Sequence, residues 1–250
     1  MKKIVIVMFC LFFCIPSFAR RKNKEIRCAE RLKAGIEAFD NKKYSRAVGL
    51  LSTVRNECIG ELDAPDSLYY FLGLSYMRGR KPEDARMELR TIIEEYPHSE
   101  FIERTYYWIA YCSYKAAPII QRDNRLLRRA EREFSSFVSA YPRSEFIDSA
   151  RIYLDSIVDK LLQKEMLNAE YYEITDKYES AVIYYQTILE DYAGSERIPE
   201  IRLRLARNLI ASKRFAEAQA QLNILEENDL FKNEIELLRR RVSLRDRAGR

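Results

Sequence analysis

The sequence has one histidine, His98, and only seven glycines and seven prolines among its 250 residues. His98 follows Pro97 in a turn, so a serine or cysteine nucleophile elsewhere has no evident imidazole base. No cysteine pair has zinc-ligand spacing, and no glycine-rich phosphate loop is present, so neither a metal nor another cofactor is expected. The reading is a protein without catalytic chemistry. The longest apolar run, Ile4 to Ile15, is too short to span a bilayer core of about 30 Å. Strong net charge is lacking as well. The formal value of +5 falls to about +3 once Lys2 and Lys3 are removed with the leader described below, too weak a bias for nucleic acid.

What is present favours helix. Leu, Ile, Ala, Glu, Arg and Lys dominate, and the scarcity of glycine and proline leaves few breaks, so an all-α fold is expected. Residues 1–19 read as a signal peptide: Lys2 and Lys3, the apolar run, then Pro16-Ser17-Phe18-Ala19 with small residues at −3 and −1. Cleavage after Ala19 places the mature chain outside the cytoplasm. Cys10 and Cys14 raise a lipid-anchor alternative, but Phe9 and Phe13 precede them where that processing requires a small residue.

The main signal is a repeat. Gly35 and Ala47, Gly73 and Ala85, Ala169 and Ala181, and Ala206 and Ala218 are pairs of small residues twelve apart. This is the tetratricopeptide spacing, in which each pair marks the closest approach of two helices in a hairpin of about 34 residues. The flanks repeat too: Tyr96-Pro97-His98-Ser99-Glu100-Phe101 returns as Tyr141-Pro142-Arg143-Ser144-Glu145-Phe146, and in degenerate form as Asp191-Tyr192-Ala193-Gly194-Ser195-Glu196. Proline ends one helix, and serine can cap the next by accepting a backbone N–H bond. Ala110 and Ala130 depart from the rule, being twenty apart, so eight residues are inserted around Pro118 to Asn124.

This predicts five tetratricopeptide-like helical hairpins, near 28–59, 66–97, 102–142, 146–193 and 197–229, in a right-handed superhelix with a C-terminal capping helix near 231–247. Such an array exists to hold other polypeptides. Cys28 and Cys58 lie at the two ends of the first hairpin, where a disulfide and two free thiols are both compatible with the spacing. Cys112 reads as a small core residue. Tyr69, Tyr76, Tyr106, Tyr172 and Tyr178 fall on repeat-core positions, whereas Tyr70, Tyr107, Tyr111, Tyr171 and Tyr184 fall off them and are the candidate contact residues. Between Phe231 and Arg250 basic residues outnumber acidic ones, with Arg239, Arg240 and Arg241 in a row. This segment reads either as a solvated terminal helix or as a contact for an acidic partner surface or anionic lipid heads.

Several stretches resemble the BamD (YfiO) family of outer-membrane β-barrel assembly. They are Ala169-Glu170-Tyr171-Tyr172, Lys177 to Tyr185, Leu189 to Tyr192, Gln121-Arg122-Asp123 in the inserted turn, and Phe134 with Tyr141-Pro142-Arg143-Ser144. The resemblance implies a periplasmic scaffold at the cell outer membrane. Its N-terminal half, residues 20–142, would receive unfolded β-barrel clients. Its C-terminal half, residues 143–250, would bind a BamA-like β-barrel protein with periplasmic transport domains, and other Bam lipoproteins would be further partners. Gln121, Arg122 and Asp123 and the Arg239-Arg240-Arg241 run join the tyrosines as partner-binding candidates on this reading. Family members carry a lipid anchor just after the signal, and the phenylalanines before Cys10 and Cys14 depart from that pattern. The competing reading, a Tol–Pal-type adaptor of envelope constriction, calls for a coiled coil before the repeats, and none is visible between Arg20 and Cys28.

Overall fold

A computed structural model of the chain describes residues 25–117, 124–225 and 229–248. Among them the regular structure is helical: α1 (25–40), α2 (Tyr44–Cys58), α3 (Pro65–Arg78), α4 (Pro82–Glu95), α5 (Ile102–Ala116), α6 (Arg125–Ala140), α7 (Ile147–Ile174), α8 (Tyr178–Asp191), α9 (Ile198–Ala211), α10 (Phe215–Ile224) and α11 (Lys232–Ala248). The expected all-α architecture is what the structure has. No described helix is long and apolar enough to cross a membrane. The leader, residues 1–19, and the inserted Gln121-Arg122-Asp123 lie outside the described residues.

The chain divides into two compact units, the first ending at Ile157 and the second beginning at Val158. In the first, α3 packs on α4, α4 on α5 and α5 on α6, around a core that includes Leu51, Leu72, Leu89, Phe134 and Phe137. In the second, α8 packs on α9 and α9 on α10, α11 closes against α9 and α10, and Leu161, Tyr185, Ile188 and Leu205 are buried.

The small residues do what their spacing implies. Ala47, Ala85, Ala110, Ala130, Ala169, Ala181, Ala206 and Ala218 are all fully buried. A Cβ on Gly73 would lie 2.7 Å from Leu89 Cγ and 3.2 Å from the Ala85 carbonyl oxygen. One on Gly35 would lie 2.5 Å from Leu51 Cδ2. Both side-chain distances are below van der Waals contact, so each glycine sets how closely its two helices approach.

Scarce glycine has a visible consequence in the hairpin turns. Lys42, Arg80, Asp176 and Lys213 take the left-handed conformation, with φ of 59°, 62°, 57° and 60°. In each turn the next N–H donates five residues back: Lys43 to Ala38, Lys81 to Tyr76, Lys177 to Tyr172 and Arg214 to Leu209, at 2.8–3.0 Å. These are Schellman closures, at a position glycine usually fills because a Cβ there is strained.

Between hairpins, Ser99, Ser144 and Ser195 behave alike. Each hydroxyl oxygen accepts the backbone N–H two residues on, from Phe101, Phe146 and Arg197, at 3.1, 3.1 and 3.2 Å. The bond falls one step earlier than a helix cap, because Phe101 and Arg197 are themselves the N-cap residues of α5 and α9.

Candidate protein-binding surfaces

The first hairpin is tied by a disulfide between Cys28 and Cys58, whose Cα atoms lie 5.6 Å apart. Antiparallel α1 and α2 bring the two residues together at the end opposite the Lys42 turn. Cys112 is free and buried, and burial pushes its thiol pKa up to about 12.

The tyrosines are distributed differently from the sequence expectation. Tyr70 and Tyr107, placed off the packed face, are buried at 6% and 5% exposure, whereas Tyr106, placed on a core position, is 38% exposed. Tyr69, Tyr76, Tyr172 and Tyr178 are half-buried. The reason is that the first helix of a stacked hairpin is covered twice, by its own partner helix and by the entrance to the next hairpin. Tyr70 stacks on Phe101 and Tyr107 on Phe146, each with ring centroids 4.5 Å apart. One residue earlier, Tyr69 packs on Tyr96 and Tyr106 on Tyr141, at 6.0 and 5.9 Å. The repeated Tyr-Pro-X-Ser-Glu-Phe segment is thus an aromatic clamp read by two successive tyrosines, a role that its recurrence in sequence hinted at.

Tyr111 is half-buried and extends this band, its ring 5.1 Å from Tyr153 and 6.3 Å from Tyr107. Burial, reinforced by Tyr153, pushes the Tyr107 phenol pKa up to about 12. Two ion pairs brace the same unit: Arg86 with Glu133 at 2.7 Å, and Arg55 with Glu88. Desolvation still leaves the Glu88 carboxyl above its usual range, although Arg55 opposes the shift.

In the second unit Tyr171 is 60% exposed, and Tyr184 stacks on Tyr172 at 5.1 Å. The buried Tyr185 hydroxyl donates to Glu173 at 2.9 Å, and Arg204 bridges Glu170 and Glu200 at 2.8 and 3.2 Å. On α11 the three arginines part company. Arg239 donates to the Leu222 carbonyl at 3.4 Å and helps hold α11 on α10, and Arg240 pairs with Glu236 one turn away. Arg241 is exposed. Ile174, Ile183, Leu237 and Leu244 are exposed apolar side chains of this unit. Among the described residues no cluster of three His, Cys, Asp or Glu side chains could hold a metal ion.

Buried small residues recur through the described hairpins, aromatic clamps form at Phe101 and Phe146, and the family model YfiO, outer membrane lipoprotein, matches residues 25–227. The chain belongs to the YfiO family. A curated relative, the outer membrane protein assembly factor BamD of Caulobacter vibrioides, is 23% identical over 133 residues, covering 53% of this chain and 44% of the relative. The match therefore spans less than half of that relative. Solved structures similar to this YfiO-family chain include TTC0263, a thermophilic TPR protein of Thermus thermophilus. It is 17% identical with a TM-score of 0.37, over 87% of this chain and 99% of that one. MamA of AMB-1 is 16% identical with a TM-score of 0.42, over 82% and 92%.

Proposed function

We propose that the chain is a periplasmic scaffold of outer-membrane β-barrel assembly, held at the inner face of the outer membrane and acting by binding polypeptides. The observation that carries this reading is the family match across residues 25–227. The name of the Caulobacter relative supports the same process. Residues 20–142 receive unfolded β-barrel clients, and residues 143–250 bind a BamA-like partner. Exposed Tyr171, Ile174, Ile183, Leu237 and Leu244 support the second assignment, since apolar and aromatic side chains on a surface are common interface anchors. Arg241 adds an exposed charge on α11 for an acidic rim.

Affinity purification of the tagged chain from its own membranes tests the proposal. Co-purification of a BamA-like β-barrel protein, lost on Leu237→Asp with Leu244→Asp, is the expected outcome. Recovery of Tol or Pal components in its place would overturn it and favour the envelope-constriction reading.

A further inference from the structure

Two recesses lie side by side on the turn edge of the first unit. One, of about 580 Å³, is lined by Lys42, Lys43, Tyr44, Arg46, Arg78 and Arg80, among other residues. The other, of about 400 Å³, is lined by Arg78, Arg80, Met77, Trp108, Tyr111 and Lys115, with Pro82. Arg78 and Arg80 form the wall between them. Among the described residues no carboxylate lines either recess.

The cations are unspent. Among the described residues Lys42, Lys43, Arg46 and Arg80 are exposed and join no ion pair. The aromatic floor is already arranged around charge: the Arg78 guanidinium lies 5.6 Å from the Trp108 ring centroid, and Lys115 Nζ 5.3 Å from that of Tyr111. Concentrating like charges in a recess costs folding free energy through repulsion and is relieved when an anion enters.

The second unit supplies an internal control. Its equivalent turns, at Asp176 and Lys213, have the same backbone and also border a recess, but the charges there cancel. Arg214 is bound by Glu179 at 3.0 Å and by Glu217 at 2.6 Å. Turn geometry alone therefore does not produce a cationic edge. Among the described residues the recesses of the first unit are lined by cations without carboxylates, whereas Asp176 and Glu179 line that of the second beside Lys177 and Lys213.

From this charge distribution we infer that the turn edge of α1 to α5 is a docking site for an acidic, extended peptide segment carrying an aromatic side chain. Its carboxylates lie along Lys42, Lys43, Arg46 and Arg80, and its ring enters the recess floored by Trp108 and Tyr111. The cationic recess is shallow and the one beside Trp108 is deeper, so an extended chain can lie along the first and place one ring in the second. The site does not rest on the assembly role, because it is defined by the chemistry of the ligand and not by the identity of its source.

Trp108 is the only tryptophan of the sequence, so emission reports the surroundings of this one ring, which lines the recess. The probe is a short peptide of alternating glutamate and aspartate with one central phenylalanine, titrated into the protein at about 0.1 M salt, where surface charges still act over roughly 10 Å. A saturable change in Trp108 emission is expected. It should weaken at least tenfold in Lys43→Glu with Arg46→Glu, which also places acidic residues favourably at the start of α2 and so keeps the helix folded. Arg80→Gln should weaken it severalfold, and replacing the phenylalanine of the peptide by alanine should remove most of the emission change. The inference fails if the peptide leaves the emission unchanged, if both variants bind as the parent does, or if phosphatidylglycerol vesicles change the emission and the peptide does not.

Discussion

Tyr107 and Phe146 lie face to face, ring centroids 4.5 Å apart and planes 22° from parallel, across the junction between one hairpin and the next. Tyr70 and Phe101 repeat the contact one hairpin earlier at 4.5 Å and 18°. Because neighbouring hairpins bury apolar surface only against each other, this junction is where stability passes along the array. Phe146→Ala is expected to cost about 2–3 kcal/mol in urea unfolding, below the value for a fully buried phenylalanine because Phe146 is half-buried. A double-mutant cycle with Tyr107→Ala should show coupling of about 0.5–1.5 kcal/mol, and additive single effects would refute the junction role.

The Tyr107 phenol also makes this junction sensitive to alkali. Burial raises its pKa from the ordinary value of 10.0 to about 12. A raised folded value means that the stabilisation from the neutral phenol is complete below pH 10 and is lost as pH rises through about 12. Tyr107→Phe should therefore lose less stability than the parent between about pH 10 and pH 11. Comparing the two unfolding curves at each pH isolates this group from the other tyrosines, and parallel curves would count against the assignment.

Gly73 is a steric requirement and not a source of flexibility. Alanine there gains about 1 kcal/mol of helix propensity, yet its Cβ would fall 2.7 Å from Leu89 Cγ, and Leu89 is fully buried. Gly73→Ala is expected to destabilise by about 1–2 kcal/mol through overpacking. On a Leu89→Ala background the same change should cost markedly less, since the Leu89 atoms are gone and only the 3.2 Å approach to the Ala85 carbonyl remains. A stabilising Gly73→Ala in the parent would disprove the close-approach argument.

The disulfide closes a loop of 30 residues, which in the chain-entropy model corresponds to about 3.5 kcal/mol. In a chain lacking residues 1–19, Cys28→Ser with Cys58→Ser should lower urea stability by about that amount. Alkylation of the native oxidised protein should label no cysteine, because Cys112 is buried with its thiol pKa raised to about 12. After unfolding without reductant it should label one. Two further labels before reduction would show Cys28 and Cys58 to be unpaired.

The architecture was legible because close approach of two helices leaves room only for a very small side chain, and that demand recurs at the same interval. Gly35 with Ala47, Gly73 with Ala85 and the later alanine pairs therefore identified which segments pair before any contact was known. The Tyr-Pro-X-Ser-Glu-Phe segments were legible for a related reason, since a junction made twice in the same way uses the same residues. Neither the small-residue interval nor this recurrence carries information on which side of a helix the neighbouring hairpin covers.

That information came only from the tertiary structure. Tyr106 and Tyr107 are adjacent and chemically identical, and one is exposed and the other buried because Phe146 sits over the second. The left-handed turns at Lys42, Arg80, Asp176 and Lys213 were hidden as well, since the residues there are not glycine and the hairpin closures hold them in place. The cationic edge was likewise invisible to a charge count. Lys43 and Arg214 occupy equivalent turn positions, and beyond the local Glu217 it is the tertiary structure that brings Glu179 to Arg214 and leaves Lys43 facing solvent. Helix pairing is set by local size and spacing, which a sequence records, whereas exposure and charge compensation depend on what the rest of the chain brings alongside.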